Sequence, residues 1–151
     1  MMIKTHLALT ILFIILLFSR VGNGIVFSAV ALAATFIPDV DTKFSSLGKK
    51  KIFRPFQMFM KHRGIFHSFT FLLVLTLIFA LFVPIIALPF FLGYGMHVFL
   101  DSFTADGIAP FYPYKKRIYG SIRNGSKSEN FVFISFILVD LAILLFRFGN
   151  F

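Results

Sequence analysis

Cysteine is absent from this chain, which excludes a disulfide framework and any thiolate metal site. A metal bound here must be held by histidine and carboxylate. Polar surface is almost as scarce. Of 151 residues 58% are hydrophobic, 24 are phenylalanine, and the mean hydropathy is +0.90. A soluble domain of this length needs far more polar surface, so the composition predicts one integral membrane domain over residues 1–151. Acids are few too, six against fifteen Lys and Arg, for a formal charge of +9. Such an excess can mark a nucleic-acid binder. In a chain this apolar, basic loops at the cytoplasmic side of a membrane explain it better, and no nucleic-acid partner is expected. The first apolar run follows a basic residue, as in a signal peptide. Ser19-Arg20-Val21-Gly22 offers no small-x-small cleavage site, however, so the segment reads as a retained helix. Internal repeats and low-complexity tails are also missing.

What is present reads as an all-α, polytopic membrane bundle of about five helices with short loops. Apolar runs between turn residues predict helices over about 5–18, 25–37, 67–83, 88–102 and 131–148. The run from His67 to Asp101 is too long to cross once, about 52 Å as a single helix against a hydrocarbon core of about 30 Å. Pro84 and Pro89 mark the expected fold-back. The second helix is rich in small residues (Ser28, Ala29, Ala31, Ala33, Ala34), which permit close helix approach in lipid. Segments 42–63 and 108–130 mix Lys and Arg with aromatic side chains and are expected to lie at the membrane surface, in contact with lipid.

Chemistry-bearing residues gather at the ends of these runs. His97 and Asp101 stand four apart, which stacks imidazole and carboxylate on one helix face. His6 opens the first helix, Asp39 and Asp41 close the second after Pro38, and His62 and His67 open the third. Glu129 and Asp140 stand outside this set. With alternating crossings all of these positions fall on one side of the membrane, the side that also carries both basic loops, so the cluster is expected at the cytoplasmic face. Each piece alone has a plain reading, as a helix-end hydrogen bond, a turn residue or a headgroup contact. Together, imidazoles and carboxylates without thiols suit a divalent metal, zinc first, with manganese or iron(II) as alternatives. There are enough of them for two metals, the arrangement used in displacement at phosphorus.

Thr5-His6, Pro38-Asp39-Val40-Asp41, His62-Arg63-Gly64-Ile65-Phe66-His67-Ser68, His97-x-x-x-Asp101-x-x-Thr104-x-x-Gly107 and Phe111-Tyr112-Pro113 occur in this order. In these motifs, over residues 4–114, the chain resembles the YdjM family of membrane-bound metal-dependent hydrolases. That family is grouped distantly with zinc-dependent phospholipase C and single-strand nucleases, so the resemblance implies a phosphoester substrate. Two departures stand out. Phe66 occupies a place where the family motif usually has threonine. No His-x-x-x-Glu follows Asp101, which argues against a third metal.

The reading that results is a phosphoester hydrolase, with a lipid as the expected substrate, in which His6, Asp41, His67, His97 and Asp101 are metal ligands. Asp39 and His62 are second-choice ligands or proton carriers, and Arg63 suits an anionic substrate oxygen because its planar fork matches phosphate. Two other readings compete. A metal-ion carrier would place ionisable groups near mid-membrane, where Asp140 alone qualifies. A structural anchor would close its metal's ligand shell.

Overall fold

The computed structural model describes residues 1–41, 64–114 and 116–149, with the side chains of 41 and 148 excepted. Five α-helices form among them: α1 Ile3–Leu17, α2 Gly24–Phe36, α3 Phe69–Phe82, α4 Pro84–Ser102 and α5 Lys127–Phe148. Short 3-10 turns at Pro38–Asp41 and Ile65–His67 follow α2 and precede α3. No strand occurs among the described residues. The bundle is all-helical, as its runs of apolar residues predict.

Polar residues set the helix starts. Asn23, Ser68 and Ser126 each accept a hydrogen bond from the backbone N–H three residues on, capping α2, α3 and α5. Pro84 sits in the first position of α4, where its missing N–H costs nothing. The fold-back between α3 and α4 is therefore made at Pro84 alone. Pro89 lies inside α4, which begins four residues earlier than its apolar pattern suggests. So near the helix start proline removes a single bond to the carbonyl of Ile85. α5 also starts early, because Ser126 and Glu129 cap a polar first turn that reads as loop by hydropathy.

The most extensive helix pair is α2 with α4. It depends on Gly93: a Cβ there would lie 2.1 Å from the carbonyl oxygen of Ala31. Small residues at this seam let the two backbones touch. Around it, Ala34, Leu72, Phe90, Tyr94, Val98 and Ile108 form the larger apolar core. α1 and α5 run in the same direction, with Lys4 bonded to Asn130 at one end and Arg147 to Ile15 and Ser19 at the other. Two helices, Pro84–Ser102 and Lys127–Arg147, are long and apolar enough to cross a membrane. α1 and α3 are apolar but shorter. Large apolar side chains face outward, Phe82 and Phe146 among the most exposed.

Candidate metal centre

Four helix ends meet at one end of the bundle. His6 comes from the first turn of α1, Asp39 from the 3-10 turn after α2, His67 from the turn before α3, and His97 and Asp101 from the last turns of α4. His6, His67, His97 and Asp101 are buried to within 1% of fully. Asp39 keeps 22% of its side chain exposed.

Local chemistry holds each group. Ser68 donates its hydroxyl to the Ile65 carbonyl at 2.7 Å and accepts from Phe71 N–H, fixing the turn that carries His67. The buried Tyr94 hydroxyl donates to the Phe66 carbonyl and ties that turn to α4. His97 Nδ1 lies 2.7 Å from the Thr35 carbonyl oxygen. A carbonyl only accepts, so Nδ1 carries the proton and Nε2 presents its lone pair to the cluster. The Thr35 hydroxyl donates to the Ala31 carbonyl, which leaves Thr10 to donate to Thr35 at 2.9 Å. Thr10 is one turn from His6 on α1, so these two threonines clamp α1 to α2 directly beneath the histidines.

Within the cluster the imidazole nitrogens and carboxylate oxygens stand 3.4–4.0 Å apart. Asp101 Oδ1 is 3.4 Å from His6 Nε2, and Oδ2 is 3.4 Å from His67 Nε2 and 3.8 Å from His97 Nε2. Asp39 Oδ1 is 3.7 Å from His97 Nε2 and 4.0 Å from His67 Nε2. Good N–H···O bonds run about 2.7–3.2 Å, shorter than any of these. Ligands about 2.0–2.1 Å from a tetrahedral zinc are about 3.4 Å from each other, and two of the five distances equal that while the other three are 3.7–4.0 Å. The His6 and His97 rings stack in parallel, 3.9 Å apart at 5°. Among the described residues His97 Nε2 and both nitrogens of His6 have no hydrogen-bond partner. Buried nitrogens of this kind are costly unless something binds them. Among the described residues two sets of donor atoms could hold a metal ion, His6 with His97 and Asp101, and Asp39 with His67 and His97. The residues present therefore fit a divalent metal. The Met1 amino group also contacts Asp101 Oδ1. Asp39 lies past the end of α2, where burial pushes its carboxyl above the ordinary range while His67 and His6 pull it down.

Of the residues the sequence singles out, the structure brings together His6, Asp39, His67, His97 and Asp101. The Asp41 side chain, and His62 and Arg63 altogether, lie outside the described residues. Sequence reasoning passed over three contributors. The Thr10–Thr35 pair had a signal, since polar residues are rare in α1 and α2 and Thr10 shares a face with His6. Tyr94 had none that separates it from other interfacial tyrosines. Glu129 is fully buried and belongs to neither set of metal-type donors. Its carboxylate accepts from the Met2 and Gly125 backbone N–H and the Thr5 hydroxyl, so it docks the turn before His6 onto the start of α5.

Fold and site together define a class: a small helical membrane protein with a buried His/Asp centre, suited to a metal ion, at one end of its bundle. The chain belongs to the YdjM inner membrane protein family, whose model matches residues 1–149. No curated protein and no solved structure matches it.

Proposed function

We propose that this protein is a multi-pass, metal-dependent phosphoester hydrolase with its centre at the cytoplasmic membrane face. One observation carries the reading: three buried imidazoles and two carboxylates converge within 3.4–4.0 Å of one another, and His97 Nε2 and both nitrogens of His6 have no hydrogen-bond partner among the described residues. His6, His67, His97, Asp101 and Asp39 are the ligands at hand, and Asp41 joins them on its sequence position. Zinc is the first choice for this donor set, with manganese and iron(II) after it. Such a metal supplies Lewis acidity and a water acidic enough to ionise near neutral pH.

The chain's own residues divide the remaining work. The Thr35 carbonyl orients His97 so that its Nε2 faces the centre. Asp39, which keeps 22% of its side chain exposed where Asp101 keeps 2%, is placed to pass a proton between the site and water. His62 shares that role on its sequence position, and Arg63 beside it is the group to hold a phosphate oxygen. Charge supports that orientation: twelve of the fifteen Lys and Arg fall in the sequence segments 42–63 and 102–130, which join helix ends that carry the centre, while Arg20 and Arg147 lie at the other end.

The carrier reading has one observation in its favour. Asp140 is buried within α5 and neither of its carboxylate oxygens has a hydrogen-bond partner among the described residues. One experiment separates the two. Detergent-purified protein is analysed for bound metal, then assayed for phosphoester turnover and, in proteoliposomes, for metal flux. Stoichiometric metal with turnover, both abolished in His97→Ala/Asp101→Ala, supports the hydrolase. Flux without turnover overturns it.

A further inference from the structure

The segment between α4 and α5 builds a cavity that the proposed chemistry does not use. It encloses about 620 Å³ and is lined by Pro110, Phe111, Tyr114, Lys116 and Ile118, a size within the usual range of small-molecule sites. Both walls are fixed. The Pro110 carbonyl accepts the Phe69 N–H at 2.9 Å, which seats one wall on the first turn of α3, directly after His67 and Ser68. Ile118 exchanges both backbone hydrogen bonds with the buried Ile108, at 3.0 and 2.9 Å, which seats the other. Phe111, Tyr114 and Ile118 nevertheless remain exposed, so the apolar lining opens outward.

The rim is cationic. Among the described residues Lys116 has neither a hydrogen bond nor an acidic partner. Its neighbour Arg117, by contrast, is engaged by the Asp106 and Gly107 carbonyls. Across 103–126 the sequence carries Lys115, Lys116, Arg117 and Arg123 against a single acid, Asp106, whose carboxylate takes a hydrogen bond from Asn124. An apolar trough with an uncommitted cation at its edge selects a ligand that is apolar along its length and anionic at one end. A free phosphate would gain nothing from the apolar walls, and a zwitterionic lipid would gain little from Lys116.

We propose that this cavity binds one acyl chain of an anionic membrane phospholipid, with Lys116 beside its net negative headgroup. The lipid's role as substrate rests on the hydrolase reading. Its binding does not, since no residue lining the cavity belongs to the His/Asp centre.

The chain contains no tryptophan, so Tyr114→Trp places a single reporter in the cavity wall. This variant is set in phosphatidylcholine nanodiscs doped with chain-brominated phosphatidylglycerol or chain-brominated phosphatidylcholine, and quenching of Trp emission is read against mole fraction. The anionic lipid should quench at about fivefold lower mole fraction, the preference one lysine supplies at an anionic surface. Adding Lys116→Gln or Lys116→Glu, at an exposed position that does not threaten folding, should bring the two curves together. Coincident curves without those changes, or a preference that survives them, overturn the proposal. The same preference in protein that also carries His97→Ala/Asp101→Ala supports the cavity independently of turnover. A wild type that binds the anionic lipid yet hydrolyses no phosphoester overturns the hydrolase reading and leaves the cavity standing.

Discussion

Adding one methyl group at Gly93 should disable the His/Asp centre from a full helical turn away. A Cβ at Gly93 would stand 2.1 Å from the Ala31 carbonyl oxygen, and also crowds the Ala31 carbonyl carbon at 2.9 Å. Both obstacles are backbone and cannot rotate aside. Restoring an ordinary contact of about 3.2 Å requires α2 and α4 to part by about 1 Å, an overpacking cost of about 1–3 kcal/mol. Thr35 lies four residues beyond Ala31 and His97 four beyond Gly93, so the same two helices meet again one turn on. There the Thr35 carbonyl holds His97 Nδ1 at 2.7 Å. A 1 Å parting takes that separation to about 3.7 Å, past the range of a hydrogen bond. His97 then loses both its orientation and its enforced tautomer.

Loss of such an orienting bond typically weakens metal binding by about 10–100-fold. Gly93→Ala should therefore lower metal affinity by that factor as well as lowering the midpoint of thermal unfolding in detergent. Two other glycines provide a graded control. At Gly95 the added Cβ meets a movable Leu72 methyl at 3.2 Å, and at Gly22 it meets nothing within 4 Å. Metal affinity, measured by competition with a chromogenic chelator, should fall in the order Gly22→Ala, Gly95→Ala, Gly93→Ala, with Gly22→Ala equal to wild type. Wild-type affinity in a folded Gly93→Ala protein would refute the claim that this seam positions His97.

Other consequences are open to measurement. Thr10→Val removes the bond from α1 to α2 but no group of the centre, so it should cost about 1 kcal/mol of stability and leave metal stoichiometry unchanged; a loss of metal would give Thr10 a direct role. Glu129→Ala leaves two donors near the start of α1 and one before α5 without their acceptor and should cost about 2–4 kcal/mol, seen as a lower unfolding midpoint and faster proteolysis near residue 1. An unchanged midpoint would show that Glu129 does not dock α1. In this cysteine-free chain, Ser46→Cys and Ser121→Cys should resist an impermeant thiol reagent in intact cells while Gly22→Cys reacts, and the reverse pattern would put the centre outside the cytoplasm.

The parts of the centre that sequence exposes are those fixed by covalent spacing. His97 and Asp101 must share a helix face once the run is helical, and Pro38 must release the chain near Asp39. Convergence of the four helix ends then follows from counting crossings. Hydropathy fails where a helix start is polar, as at Lys127–Asn130, and where a proline falls early enough in a helix to cost only one bond, as at Pro89. It fails more deeply in saying which face of a helix is buried. α1 to α4 are apolar nearly all round, so no hydrophobic stripe marks the interior.

Beside its apolar core, the interior of this bundle is marked by what is small or polar. Ala31, Ala34 and Gly93 sit at the seam of α2 and α4, and Thr5, His6, Thr10, Thr35, His97 and Asp101 are all buried. Leu81, Phe82 and Phe146 point outward. That inversion is expected of helices solvated by lipid, where apolar surface gains nothing by hiding and polar groups must find one another. It also explains why the Thr35 carbonyl stayed invisible in the sequence. A main-chain oxygen has the same identity at every position, and it was a glycine on the facing helix, not threonine itself, that let this one come within reach of His97.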